Sequence, residues 1–284
     1  MYAITGITGQ VGGVVGNALL DAGHQVRAVV RGEDKGAPWA ARGCDVAIAS
    51  MHDAAALQRA FSGAEGVFVL LPPVFDPSPD FAESRANIEA LYMALKAAAP
   101  ARVVVLSTIG AHATEPNLLS QLGEMEAKLR TLPMPVLFLR AAWFIENAAW
   151  DVEPAKNTGV LNSFLQPLDK PVPMVATEDI GRVAAQCLQD SWKGVKIVEL
   201  EGPRRITPNE LAATFAALLG RPVRAQSVPR DTWEPLFRGQ GMQHPQPRMR
   251  MLDGFNEGWI EFEQPEATQK GSVTLEAALR ALLG

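Results

Sequence analysis

Three glycines near the start of the chain have the spacing of a turn that binds phosphate. Gly6, Gly9 and Gly12 follow the apolar run Tyr2–Thr5 and lead into a helical run. Glycines let the backbone turn tightly and approach phosphate oxygens, and the free N–H groups at the start of a helix attract an anion. A second apolar run, residues 25–30, completes the βαβ context that a dinucleotide pyrophosphate site requires. The sequence therefore predicts a dinucleotide site at the first turn.

Arg31 follows the second predicted strand, where a carboxylate would otherwise bind the adenosine ribose hydroxyls. A guanidinium can instead bind a 2′-phosphate through two parallel hydrogen bonds, so Arg31 favours NADP(H) and leaves NAD(H) as the second choice. Glu33 and Asp34 follow closely and oppose this interpretation, and a solvated loop arginine is the alternative.

Composition and charge exclude several classes of function. The chain has 284 residues, a net charge of −5, two cysteines and no apolar run long enough to cross a bilayer. We therefore expect no nucleic-acid surface, no metal cluster and no membrane anchor, and we expect a cytoplasmic protein. Six arginines between Arg221 and Arg250 form a local basic stretch that either attracts an anion or is simply a solvated face. A homodimer or a protein partner stays open.

Alternating apolar strands and helices predict an α/β fold, a Rossmann doubly wound parallel sheet with a smaller C-terminal α/β substrate lobe. We predict a dinucleotide-binding domain over residues 1–150, and over 151–284 a mixed region that returns strands to the sheet and forms the lobe. The predicted strands are 2–5, 25–30, 44–49, 66–71, 102–107, 136–139, 195–201 and the edge strand 223–228. The predicted helices are 11–22, 53–61, 79–98, 118–132, 178–190 and 207–219.

Ligands in such sheets bind at the carboxyl ends of the strands, which places candidate residues just after each strand. From Arg230 onward the chain is rich in large, flexible apolar residues on what reads as irregular backbone. They either cover an apolar pocket over the cofactor or only pack the lobe against the sheet.

The chain resembles the NmrA-like branch of the atypical short-chain dehydrogenase/reductase superfamily, particularly its type-2 NAD(P)H:quinone oxidoreductase-like members. The resemblance spans roughly residues 1–230 and rests on an ordered set of motifs. They are Thr5–Gly12, Val26–Arg31, Val69–Pro73, Leu139–Arg140 with Trp143–Asn147, Thr177–Gly181, Glu201–Pro203 and Leu219–Val223.

The resemblance implies roles for individual residues. The pyrophosphate would be held by Gly6, Thr8, Gly9, Gln10, Val11 and Gly12. Arg31 would bind the adenosine phosphate, and Met51 to Asp53 would flank the adenine. Leu70, Leu71 and Pro72 would line the ribose, and Ser107 with Phe144 would approach the nicotinamide. Glu146 and Asn147 match a motif whose role is expected to be structural.

The tyrosine–lysine acid pair of common short-chain dehydrogenases is missing from the helix after the fifth strand. Tyr92 and Lys96 have helical spacing but precede that strand, so we interpret Tyr92 as a residue at the edge of the core. In the expected helix, Glu124, Glu126 and Lys128 read as a solvated charged face.

Without that pair, hydride transfer to a quinone or another conjugated acceptor fits better than ketone reduction, because a delocalised phenolate needs no strong acid. Ser107 would donate a hydrogen bond to the developing oxyanion, or would only cap its strand or bind the cofactor amide. A non-catalytic NAD(P) redox sensor acting through a protein partner is the alternative function. An epimerase or dehydratase of nucleotide sugars is a third and weaker one.

Overall fold

The structure, a computed structural model, describes residues 1–284 and contains twelve strands and eleven α-helices. The strands are β1 (Tyr2–Thr5), β2 (Val26–Val30), β3 (Asp45–Ile48), β4 (Gly66–Leu70), β5 (Arg102–Thr108), β6 (Val136–Ala141), β7 (Trp143–Phe144), β8 (Val160–Ser163), β9 (Met174–Val175), β10 (Val195–Glu201), β11 (Arg224–Ser227) and β12 (Gln269–Lys270). The helices are α1 (Gln10–Asp21), α2 (Glu33–Ala40), α3 (Ala54–Phe61), α4 (Ala82–Ala98), α5 (Ser120–Leu129), α6 (Val152–Asn157), α7 (Thr177–Gln189), α8 (Pro208–Leu219), α9 (Trp233–Gly239), α10 (Gln246–Glu257) and α11 (Leu275–Leu283).

Eight parallel strands form the main sheet in the order β12-β10-β6-β5-β4-β1-β2-β3. The central strands are apolar at nearly every position because helices cover both faces of the sheet. Side chains alternate between the faces: Ile4 packs with α1 and α7, whereas its neighbour Ala3 lies on the face covered by α3, α4 and α5. The chain builds the sheet outward from β1 in one direction through β2 and β3, and from β4 in the other direction through β5 and β6. At such a reversal a crevice opens beyond the carboxyl ends of the two strands, here β1 and β4, and ligands of parallel sheets bind there.

The C-terminal part both completes the sheet and forms a small lobe. β10 pairs with β6 and β12 pairs with β10, so two strands beyond residue 150 return to the main sheet. The lobe contains a separate two-stranded sheet, β8 with β11, together with α8, α9 and α10. The predicted division at residue 150 stays a prediction.

Several local predictions were wrong. The helix α2 was not predicted, because Gly36 and Pro38 within it weaken the helical pattern. The predicted edge strand 223–228 is present as β11, but it belongs to a separate two-stranded sheet because it pairs with β8. The backbone after Arg230 is mainly helical, as α9 and α10, rather than irregular. The helix predicted from residue 79 begins at Ala82 instead.

Candidate functional site

The crevice between β1 and β4 is held by the side chain of Thr5. Backbone pairing between these strands ends at Ile4 and Phe68. The Thr5 hydroxyl donates to the Phe68 carbonyl (3.1 Å) and accepts from the Leu70 N–H (3.3 Å), which satisfies buried groups where the strands separate. The sequence reasoning did not single out Thr5 for this task, because a threonine at the end of a strand is too common to be a signal.

The glycine turn brings its residues together as the motif predicts. Gly6 has a φ of +61°, a conformation that other residues rarely adopt. A Cβ on Gly12 would lie 2.3 Å from the Gly6 carbonyl oxygen, so only glycine lets α1 approach the turn this closely. Gly9 is the residue before α1, and no side chain caps that helix terminus. The first N–H groups of α1, at Gln10, Val11 and Gly12, therefore have no intrahelical acceptor and are free for an anion.

Exposure agrees with a binding turn. Thr8, Gly9 and Gln10 are exposed, whereas Val11 and Gly12 are buried beneath them. α1 carries no acidic residue in its first turn, so the helix itself adds no negative charge beside a phosphate. Thr8, Gly9 and Gln10 thus face solvent above a buried base formed by Val11 and Gly12.

Arg31 lies exposed at the carboxyl end of β2, beside the turn that follows β3. Arg31 makes no ion pair with Glu33 or Asp34, and Asp34 lies near Lys35 instead (3.7 Å). The guanidinium is therefore free to bind a ligand. Asp53 caps α3 by accepting the Ala56 N–H (2.9 Å), so the Asp53 carboxylate orders the turn after β3, and Met51 is half-buried in that turn.

The segment after β4 lies directly over the glycine turn. A Cβ on Gly6 would lie 2.7 Å from a terminal carbon of Leu70, which shows how closely the two predicted residues pack. Leu71 is buried and Pro72 is half-buried. Further along, the Asp76 carboxylate accepts the backbone N–H groups of Gln243 and His244, each at 2.7 Å.

These contacts tie the loop between α9 and α10 to the loop after β4. The hydrogen bond from Gln243 is the main cause that holds the pKa of Asp76 below its usual value, and the hydrogen bond from His244 acts in the same direction. No sequence motif marks Asp76, because its partners are backbone groups more than 160 residues away.

Phe144 is half-buried after β6, in the short strand β7 that pairs with β9. The neighbouring Trp143 meets Phe255 of α10 edge to face, with ring centroids 5.2 Å apart. Glu146 accepts hydrogen bonds from the Thr177 N–H and hydroxyl at the start of α7 (2.9 Å each), which is a structural role.

Ser107 lies in a buried polar row across three strands. In the register of the sheet, Ser107 of β5 is level with Arg140 of β6, and Arg140 is level with Glu199 of β10. The Ser107 hydroxyl donates to Glu126 of α5 (2.5 Å), and the Arg140 guanidinium binds the same carboxylate through two hydrogen bonds, at 3.0 and 2.8 Å. The structure thus directs the Ser107 hydroxyl towards the Glu126 carboxylate.

Glu126 is only 2% exposed, so the interpretation of it as part of a solvated face is wrong. Arg140 also binds Glu263 (2.6 Å), and the Glu199 carboxylate accepts the N–H groups of Glu263 and Gln264. Burial acts to lower the pKa of Arg140, but Glu126 and Glu263 outweigh it and raise that pKa above its usual value. The buried arginine fixes the segment after α10 to the sheet. The helical pattern of α5 alone could not reveal that Glu126 is buried, because its partner Arg140 lies 14 residues further along the chain, in β6.

Tyr92 lies on the outer side of the sheet, away from the crevice. It is half-buried on α4, with the Lys128 ammonium of α5 over its ring (4.3 Å to the centroid). Because it packs between two helices and not beside the carboxyl ends of the strands, the structure agrees with its interpretation as a residue at the edge of the core.

Most of the large residues after Arg230 pack the lobe. Trp233 and Phe237 are fully buried, and Met249, Met251 and Phe255 are nearly so. Met242, His244 and Trp259 are half-buried. The packing interpretation therefore holds for the buried group, and only the half-buried group could border a pocket.

The model of the NmrA-like family matches residues 2–259. The chain belongs to the NmrA-like family. The predicted membership is confirmed, and the match also includes the region beyond residue 230 where the motifs are thin.

Similar proteins include an NAD(P)H azoreductase of Xenophilus azovorans, 29% identical over 244 residues, which are 85% of this chain and 82% of that protein. Quinone oxidoreductase 2 of Escherichia coli is 26% identical over 244 residues, with the same two coverages. A solved structure of the NADPH-dependent quinone oxidoreductase of Escherichia coli complexed with NADPH superposes with a TM-score of 0.82 at 24% identity, over 100% of both chains. This likeness confirms the predicted Rossmann-like parallel α/β fold.

Proposed function

We propose that this NmrA-like protein is an NADP(H)-dependent oxidoreductase that transfers hydride to a quinone or another conjugated acceptor. The observation that carries the proposal is the glycine turn, where free helix N–H groups and the unpaired Arg31 offer sites for a diphosphate and a 2′-phosphate. The two relatives named above support the reaction class, because an azo bond and a quinone are both conjugated acceptors.

The residues present fit the cofactor. Gly6, Gly9 and Gly12 let the backbone approach the diphosphate, and the N–H groups of Gln10 and Val11 bind it together with Thr8. Arg31 would bind the adenosine 2′-phosphate. The adenine would lie beside Met51 and Asp53, and Leu70, Leu71 and Pro72 would contact the ribose. NADP(H) is the preferred cofactor, and NAD(H) is bound more weakly because Arg31 then has no phosphate to bind.

When bound, the dihydronicotinamide supplies a hydride, and the acceptor takes a proton from water. The residues of the chain position the acceptor and exclude bulk water, with Phe144 at the nicotinamide end. Such a site needs no tyrosine acid, since the charge that develops on a quinone oxygen is delocalised over the ring. A role of Ser107 as an oxyanion donor stays a prediction. To fulfil it, Ser107 would have to turn its proton away from Glu126.

A non-catalytic redox sensor is not favoured, because the named relatives are reductases and oxidoreductases. We also propose that the protein lies in the cytoplasm, where NADPH is kept reduced, and that its substrate is a small conjugated molecule. None of the helices combines the length and apolar character needed to cross a membrane. A homodimer or a protein partner stays a prediction.

Consumption of NADPH, followed by nicotinamide absorbance with a panel of quinones and azo dyes, tests the proposal. We expect steady turnover that is faster with NADPH than with NADH. Tight binding of both cofactors with no turnover on any acceptor would reject the reductase and support the sensor.

A further inference from the structure

The arginines of the α9–α10 segment, defined as residues 230–257, differ in their partners. Three of the four form ion pairs within the segment: Arg230 with Asp253 (2.6 Å), Arg238 with Glu234 (2.9 Å) and Arg250 with Asp253 (3.4 Å). Arg248 forms none. Within this segment of the basic stretch, Arg248 is therefore the one arginine that has no carboxylate partner.

Arg248 lies among apolar, polarisable side chains. Its guanidinium stacks over the ring of Phe237, 4.4 Å from the centroid, and its only hydrogen-bond acceptor is the sulfur of Met242 (3.7 Å). The side chain is half-buried, and burial lowers the pKa of the guanidinium below its usual value. A sulfur and a ring face use little of the five-donor capacity of an arginine, so most of its N–H groups are left for another partner.

The backbone around Arg248 is fixed to the carboxyl ends of three central strands. The adjacent Pro247 carbonyl accepts the Leu118 N–H (2.9 Å) in the loop that follows β5. Gln243 and His244 are bound to Asp76 after β4, and Phe255 packs on Trp143 after β6. These are the strands beside which an acceptor would meet the nicotinamide, because ligands of parallel sheets bind at this edge.

We propose that Arg248 is a specificity-determining residue that binds an anionic substituent of the acceptor, such as a sulfonate, carboxylate or phosphate. The planar guanidinium offers two parallel N–H groups to such a group, while the ring of Phe237 fixes its orientation. This inference rests on the proposed function, since it assigns the acceptor class of the same site. The acceptor is then a flat conjugated ring that carries a negative charge.

A matched pair of acceptors tests the assignment: 1,2-naphthoquinone and its 4-sulfonate. We compare kcat/KM for the two quinones in wild type and in Arg248→Met, which keeps a flexible, unbranched apolar side chain but removes the charge and the N–H donors. We expect Arg248→Met to lower the preference for the sulfonate over the neutral quinone by about 10- to 100-fold, the loss of one charge-assisted contact. The electronic effect of the sulfonate cancels in this ratio of ratios.

Arg224→Met is the matched control, because it removes the same charge from β11 in the separate two-stranded sheet, and it should keep the wild-type ratio. Arg248→Lys should retain part of the preference. An unchanged ratio in Arg248→Met, or an equal loss in Arg224→Met, would overturn the inference.

A binding measurement separates this inference from the proposed function. The affinity for 2-naphthalenesulfonate, measured by calorimetry with NADP⁺ present, needs no turnover. We expect the Kd to rise at least about tenfold in Arg248→Met, while the Kd of NADP⁺ changes by less than about twofold. If this difference appears but no quinone is reduced, the result supports the anion site and rejects the reductase. Equal sulfonate affinity in wild type and Arg248→Met, or an equal loss for NADP⁺, would overturn the assignment to the acceptor.

Discussion

Gly12→Ala is the substitution that addresses the phosphate-binding turn most selectively. The new Cβ would lie 2.3 Å from the Gly6 carbonyl oxygen, 2.6 Å from the Gly6 carbonyl carbon and 2.9 Å from the Ile7 nitrogen. All three are backbone atoms, so no side chain can turn away to relieve the contact. An ordinary carbon–oxygen contact is at least 3.4 Å long, so α1 and the turn must separate by about 1 Å.

That displacement moves the free N–H groups of α1 away from the diphosphate. Each hydrogen bond to a charged group contributes about 1.5–3 kcal/mol, so the loss of one or two should weaken NADPH binding about 10-fold or more. The overpacked contact should also lower the free energy of unfolding by about 1–3 kcal/mol. Calorimetric titration with NADPH and urea unfolding measure the two effects separately.

Gly13→Ala is the matched control in the same helix. Its Cβ would lie 3.3 Å from the Ile7 carbonyl oxygen, which requires a shift of only a few tenths of an ångström. We expect binding within about threefold of wild type. If folded Gly12→Ala binds NADPH as tightly as Gly13→Ala does, the close approach of α1 to the turn is not what creates the site, and the reasoning fails.

Three further predictions concern other parts of the molecule. Arg31→Glu should weaken NADPH binding far more than NADH binding in the same titration, and an equal loss for both would contradict the phosphate role of Arg31. Tyr92→Phe should leave turnover near the wild-type rate, and a collapse of turnover in the folded variant would restore Tyr92 as the acid. Burial raises the pKa of Asp151 from 3.8 to about 6. An acid whose pKa is higher in the folded state than in the unfolded state makes the fold less stable as the pH rises from the unfolded pKa to the folded pKa. Asp151→Asn should therefore raise the free energy of unfolding at pH 8 by about 1–2 kcal/mol and change it little at pH 4, and an equal gain at both would refute the burial effect.

Local patterns predicted the nucleotide-binding half well. The strand Tyr2–Thr5 has the bounds predicted from the sequence because a run of four buried residues is a strong signal. In the C-terminal half, Val195–Glu201 also has its predicted bounds, although only its last three residues are buried. Local residues also mark the starts of helices. Asp53 and Thr207 cap α3 and α8, and the spacing of the glycines lets α1 approach the first turn closely.

Features that depend on distant contacts could not be read in the same way. Glu126 has the polar type of a surface residue, and only the register that brings Ser107 and Arg140 beneath it makes it a buried partner. The helices α9 and α10 contain Pro235, Pro247 and two glycines, which hide their periodicity, so the sequence left open whether their apolar residues cover a pocket or pack the lobe. Arg248 differs from its neighbouring arginines only in the absence of a carboxylate, which is a property of the folded structure.

We propose that the first turn of the chain binds the diphosphate of NADP(H). A crystal structure of the protein grown with excess NADP⁺ tests it most directly. We expect density for the diphosphate against the N–H groups of Gln10 and Val11, with the 2′-phosphate at Arg31. Clear density for the nucleotide elsewhere on the protein, or an empty turn at saturating NADP⁺, would contradict the account.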